Sequence, residues 1–220
     1  HCSLLQPSSS KDANPMSNFY QNLPPELSIE LQQLAKLMYD TREARSGLLA
    51  HYGVDDEAAL LARIGAGELP SLPAYDDYLS ARLLDQTSLA ARARMAQLAG
   101  QPLAEVPEPL HLPLAELAQQ HFADQLDSAP LLLQNALQLV LDNGVEMEIR
   151  YADADHYALS WSWGEGVLRI DTAPGEQASR LVRDDGSAHA DTLTTPGGEP
   201  WANLQAVLAA VLADPLLGQE

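Results

Sequence analysis

Basic residues are scarce: 12 Lys plus Arg stand against 31 Asp plus Glu, a formal charge of −19 at pH 7 over 220 residues. A negative field of that size repels phosphate backbones and anionic lipid surfaces, which argues against generic nucleic-acid binding and membrane association. Cysteine is limited to Cys2, so oxidative stapling within the chain and a thiolate zinc site both drop out. No apolar run approaches the roughly 20 residues that a membrane-crossing helix needs, because Gln, Asn, Asp and Pro interrupt every Leu-rich stretch. The opening His1-Cys2-Ser3-Leu4-Leu5-Gln6-Pro7 lacks the charged and then apolar regions of a secretion signal. A cytoplasmic location is the expectation, with Met16 reading as a translation start and residues 1–15 as an upstream extension.

Apolar residues, by contrast, make up 46% of the chain, enough for a core of ordinary size. Leu and Ala dominate, whereas Ile and Val are few and clustered: Val145, Ile149, Val167, Ile170 and Val182 fall close together, and all three Trp lie beyond residue 160. Because β-branched and aromatic side chains favour strands, the composition marks a switch at Asn143-Gly144 from helical to β-rich sequence.

Upstream of that switch a series of helices is expected. Pro24-Pro25-Glu26 opens the first, with Leu27, Leu31, Leu34 and Met38 at helical spacing. Thr41 is read as the cap of a second, ending at Gly53; Asp55-Asp56-Glu57 as the acidic start of a third; and residues 74–98 as a fourth. Four prolines between Gln101 and Pro113 forbid a regular helix there. The helical pattern then returns from Leu114 to Asp142 through Leu126, Leu133, Leu137 and Leu141.

Beyond Gly144 the period becomes two. Val145, Met147, Ile149 and Tyr151 share one strand face; Tyr157, Leu159, Trp161 and Trp163 share another. Further strands follow at 167–172, 179–183 and 188–193, and Leu204, Val207, Leu208 and Val211 line a closing helix. The expected fold class is α+β: an N-terminal helical bundle, then an antiparallel meander of four or five strands flanked by helices. Residues 1–22 form a disordered tail, 23–100 the helical region, 101–113 a Pro-rich linker and 114–220 the α+β region. The order of helix, meander, hairpin and helix from Leu114 onward is similar to the small acidic chaperones of bacterial secretion systems, although no short helix separates Ala173 from Ala178 where those chaperones place one.

No catalytic spacing stands out. The histidines His1, His51, His111, His121, His156 and His189 lack the two-His helical spacing of a zinc hydrolase, no Gly-x-Ser-x-Gly elbow occurs, and Gly65-Ala66-Gly67 lacks the frame of a phosphate loop. Neither a metal nor a cofactor is expected. Two features are unusual for this composition. One is the row Tyr157, Leu159, Trp161 and Trp163 beside the Asp153-Ala154-Asp155-His156 turn, read either as core or as a binding face. The other is Arg42 and Arg45, three residues apart on a helix, able to clamp an anion or to pair with neighbouring acids.

These readings favour a non-enzymatic bacterial accessory protein, such as a chaperone, immunity-type inhibitor or adaptor, that binds a protein partner carrying basic charge. Tyr157, Trp161, Trp163, Asp153, Asp155, Arg42 and Arg45 are the candidate partner-binding residues. The alternatives are a structural subunit of a larger assembly, or an enzyme whose carboxylate and histidine groups meet between the two halves, His156 or His189 among them.

Overall fold

The computed structural model describes residues 24–101, 106 and 108–218. The expected tail, Cys2 and part of the Pro-rich linker lie outside them. Helix α1 (Pro25–Tyr52) starts with proline in its first turn and ends at Gly53, whose φ of 62° lets its N–H reach back to the Ala50 carbonyl. The sequence predicts a break at Thr41, but α1 is continuous. Thr41 is buried inside it, its hydroxyl donating to the Leu37 carbonyl at 2.8 Å; a threonine that satisfies itself within the preceding turn does not start a new helix.

Asp56 caps α2 (Glu57–Gly65) by accepting from the Ala59 N–H at 2.8 Å. Helix α3 (Ser71–Leu98) runs back along α1. Helix α4 (His111–His121) begins inside the expected linker, with Pro113 in its first turn, where an absent N–H costs nothing.

The helix expected to continue to Asp142 stops at His121 instead. After a 3-10 turn (Ala123–Gln125) the chain enters β1 (Leu131–Leu132) and β2 (Leu137–Val140). Leucines at 133, 137 and 141 fit a four-residue helical repeat, but Leu137, Leu139 and Leu141 equally fit a period of two, and the buried alternation along β2 obeys the latter. The remaining strands match the expected segments: β3 (Glu146–Tyr151), β4 (Tyr157–Trp163), β5 (Gly166–Asp171), β6 (Arg180–Arg183) and β7 (Ala188–Ala190). Among the described residues the sheet thus has seven strands rather than four or five, in sequential antiparallel order. Helix α5 (Pro200–Ala213) follows, capped by Glu199.

Strand pleating sorts the side chains between two layers. On the front face Met147, Ile149, Leu159, Trp161, Leu168 and Ile170 pack against Leu114 and Ala118 of α4 and Leu204, Leu208 and Val211 of α5. Each of the larger aliphatic side chains, fully removed from water, stabilises the fold by about 1.5 to 3 kcal/mol before entropy is counted. On the back face the small residues Ala152, Ala158 and Ala173 lie under Leu60, Ile64, Tyr75, Tyr78 and Leu79 of α2 and α3. Alanine here lets the helical layer approach closely. The sheet is therefore covered by α4 and α5 in front and by part of the N-terminal helices behind.

Candidate functional site

Of the seven candidate residues, two are taken out of the accessible surface by this layering. Tyr157 is 0% exposed and Trp161 2% exposed. Tyr157 stacks on Tyr151 with ring centroids 4.6 Å apart and shares a hydrogen bond with the Thr194 hydroxyl at 2.7 Å, while the Trp161 indole donates to the Pro215 carbonyl at 2.8 Å. Burial pushes the Tyr157 phenol up to about 12, so it stays neutral. Trp163, at the end of β4, is 41% exposed, and its indole N–H is tied to the Asn143 carbonyl at 2.9 Å.

Asp153 belongs to a polar junction between helix and sheet. One carboxylate oxygen accepts from the backbone N–H groups of Asp155 and His156, both at 2.9 Å. The other accepts from Arg82 of α3 at 2.6 Å, and the His156 Nδ1 lies 2.9 Å from the first. Burial opposes ionisation of Asp153, but the His156, Asp155 and Arg82 hydrogen bonds outweigh it and hold the carboxyl well below the usual range. Arg82 also lies over the Tyr78 ring, 5.9 Å from its centroid. Beside the junction is a cleft of about 400 Å³ lined by Arg82, Gln86, Glu108, Leu110, Asp153 and Pro200. Asp155 is exposed and faces Gly197, whose N–H donates to the Ala154 carbonyl at 2.9 Å.

A second charged group is buried deeper. Arg169 on β5 donates to Asp171 at 2.5 Å and lies 2.6 Å from Asp76 of α3, a close charge pair without hydrogen-bond alignment. Asp171, fully buried, also accepts from Arg180 at 2.9 Å and from the Ala173 N–H at 3.0 Å. Because each charge has a counter-charge, this network holds α3 in one register on the sheet; removing one member would strand another in the interior. Sequence reading missed it, although Arg169 and Asp171 sit two apart on the strand face opposite Leu168 and Ile170, an alternation that signals partnered charge.

Beyond this network the helices stop, and part of the back face is left open. A trough of about 310 Å³ runs across β2 to β5. Ser160 and Ser162 form its floor, Val140 and the half-exposed Val167 its walls, and Glu146 and Glu148 its acidic rim. Glu148 is engaged by Arg150 at 2.5 Å; Glu146 is exposed. Ser160 and Ser162 flank Trp161 in sequence, so the strand carrying the aromatic row does border a surface, but through its serines.

Arg42 and Arg45 lie elsewhere, in a cleft between α1 and α3. Arg45 grips Glu57 with two hydrogen bonds of 2.5 and 2.6 Å, which raises its pKa. Arg42 is exposed and unpaired among the described residues. His189 is exposed on edge strand β7, remote in topology from His156.

Among the described residues no group of three or more His, Cys, Asp and Glu is arranged to hold a metal ion, and no helix is long and apolar enough to cross a membrane. No family model, curated protein or solved structure matches the chain.

Proposed function

We propose that the protein is a non-enzymatic bacterial accessory factor of the cytoplasm that holds a basic protein partner on the open strip of its sheet. The observation that carries this reading is the trough on the back face: a polar-floored, acid-rimmed depression left uncovered across strands whose front face is packed under α4 and α5. The Ser162 hydroxyl in its floor offers hydrogen bonds, the Ser160 hydroxyl accepts one from Arg169 at 3.2 Å and keeps its own proton to donate, Val140 and Val167 offer apolar contact, and Glu146 is the exposed acid at its rim. Such a mixture suits a protein surface. The surrounding net charge of −19 favours encounter with a basic partner and makes association fall with salt.

The enzyme reading has one observation in its favour, the Asp153–His156 pair beside the cleft at the helix–sheet junction. Its chemistry is weaker. Both Asp153 oxygens are committed, and the His156 ring makes hydrogen bonds only to Asp153 and Arg82 among the described residues, with no Ser, Thr or Cys hydroxyl or thiol to activate.

The test is capture from source-cell extract with wild-type bait and two baits of altered charge. Glu146→Lys combined with Val167→Lys reverses the trough at exposed positions; Glu116→Lys alters an exposed site on α4. A basic partner that is released by salt, lost from the first variant and retained by the second is the expected result. Capture that survives both salt and the trough variant would overturn the proposal.

A further inference from the structure

The described basic side chains are nearly all accounted for. Lys36, Arg45, Arg63, Arg82, Arg94, Arg150, Arg169 and Arg180 each lie within 4 Å of a carboxylate, and Arg183 donates to the Leu216 and Leu217 carbonyls. Arg42 and Arg92 alone have neither an ion pair nor a hydrogen bond among the described residues. Both line one cleft of about 180 Å³, between α1 and α3. In a chain with 31 acids to 12 bases, two unpaired guanidiniums facing the same small space are the reverse of what random pairing gives.

We infer that this cleft binds a small phosphate-type oxyanion, gripped from opposite helices by Arg42 and Arg92. The third arginine of the cleft, Arg45, is held by Glu57 and is 3.8 Å from Asp85, so it forms a fixed wall and leaves the other two free to move onto a ligand. Ser88 adds a half-buried hydroxyl that has no hydrogen-bond partner among the described residues; Asp85 also lines the cleft, its carboxylate offset by Arg45, and Met38, Thr41, Leu84 and Leu89 complete the lining. Two guanidiniums supply a double positive charge and planar, paired N–H donors, which match a phosphate dianion better than a single carboxylate. The field of the whole chain selects for size. A polyanion would meet the surrounding −19 charge, whereas one compact dianion occupies only the local positive pocket.

The experiment is titration of the full chain with inorganic phosphate, and separately with glycerol phosphate, at constant ionic strength, followed by arginine Nε–H NMR signals and calorimetry. Saturable shifts of the Arg42 and Arg92 signals are expected, with Arg42→Gln and Arg92→Gln each weakening binding by about tenfold or more. Arg94→Gln, one helical step from the cleft and paired with Glu30, should leave affinity unchanged. Stronger binding of glycerol phosphate would identify a monoester as the ligand, and stronger binding of inorganic phosphate the free ion. Shifts that never saturate, or that Arg94→Gln reduces as much as Arg92→Gln, would overturn the inference. The wild-type saturation curve decides the matter even if a variant folds poorly.

Discussion

At the residue scale, the side chains that define this molecule are polar groups whose partners come from distant parts of the chain. His111 opens α4 and is buried, and its Nε2 accepts a hydrogen bond from the backbone N–H of Tyr151 at 3.0 Å. Burial, helped by the charge of Arg150, lowers its pKa from 6.5 to about 4. The folded state thus holds His111 neutral where the unfolded chain would take up a proton. Its contribution is present above pH 6.5 and is lost as pH falls toward 4, amounting to about 3 kcal/mol over that window. Urea unfolding at neutral and mildly acidic pH should show this slope in the wild type and a shallower one in His111→Gln, whose side chain does not titrate; equal slopes would sink the assignment. The same residue marks how far sequence reading reached. His111 appeared as one histidine among six, because nothing local reveals that the end of β3, forty residues on, lies against it. Asp153 and Asp155 were legible as a turn, but Arg82, which binds Asp153 from α3, was not. Of the aromatic row, Tyr157 and Trp161 serve the core, since the strand face they share is the one that α4 and α5 cover.

At the element scale, termini were easier to read than interiors. Asp56 before Glu57 is both a sequence signal and a working cap, and Gly53 ends α1 with the backbone angle that glycine tolerates best. Replacing Asp56 by Ala should cost about 1 kcal/mol of stability in equilibrium unfolding, while Asp55→Ala, exposed and outside the cap, should cost much less. Similar losses in the two variants would show that the hydrogen bond to Ala59 is not what starts α2. Interiors misled in two places for one physical reason. Thr41 has the residue type of a cap, and the leucines from 126 to 141 have helical spacing, yet each pattern is equally compatible with another structure. Packing chose between them: Thr41 is enclosed by its helix neighbours, and Leu137 and Leu139 supply the front face of a sheet that would otherwise lack them. The strands after Gly144 were legible because β-branched and aromatic residues there alternate with polar ones, a pattern that no helix satisfies.

At the scale of the whole molecule, the excess of acid is spread along the chain rather than gathered in a tail, with 18 acids and 8 bases in residues 1–142 and 13 and 4 in residues 143–220. Most described bases are spent on internal pairs, so the outward surface is more uniformly negative than the composition alone suggests. Self-repulsion should therefore oppose folding at low salt. Raising NaCl from about 10 mM to about 150 mM shortens the screening length from about 30 Å to about 8 Å, and the Tm should rise. A Tm that falls instead would mean that the pairs contribute more than the net repulsion removes.

The sequence by itself determined the α+β class, the helices at the start, the five strands after Gly144, the closing helix and the sign of the field, because each follows from local spacing or from a sum over residues. Tertiary structure alone decided that β1 and β2 are strands, that Arg82 meets Asp153 and Arg169 meets Asp76 across the helix–sheet boundary, that Arg42 and Arg92 line one cleft, and that a strip of the back face stays uncovered. Those are relations between distant segments. Periodicity assigns a side chain to a face, but only packing selects what lies opposite that face, or leaves it open.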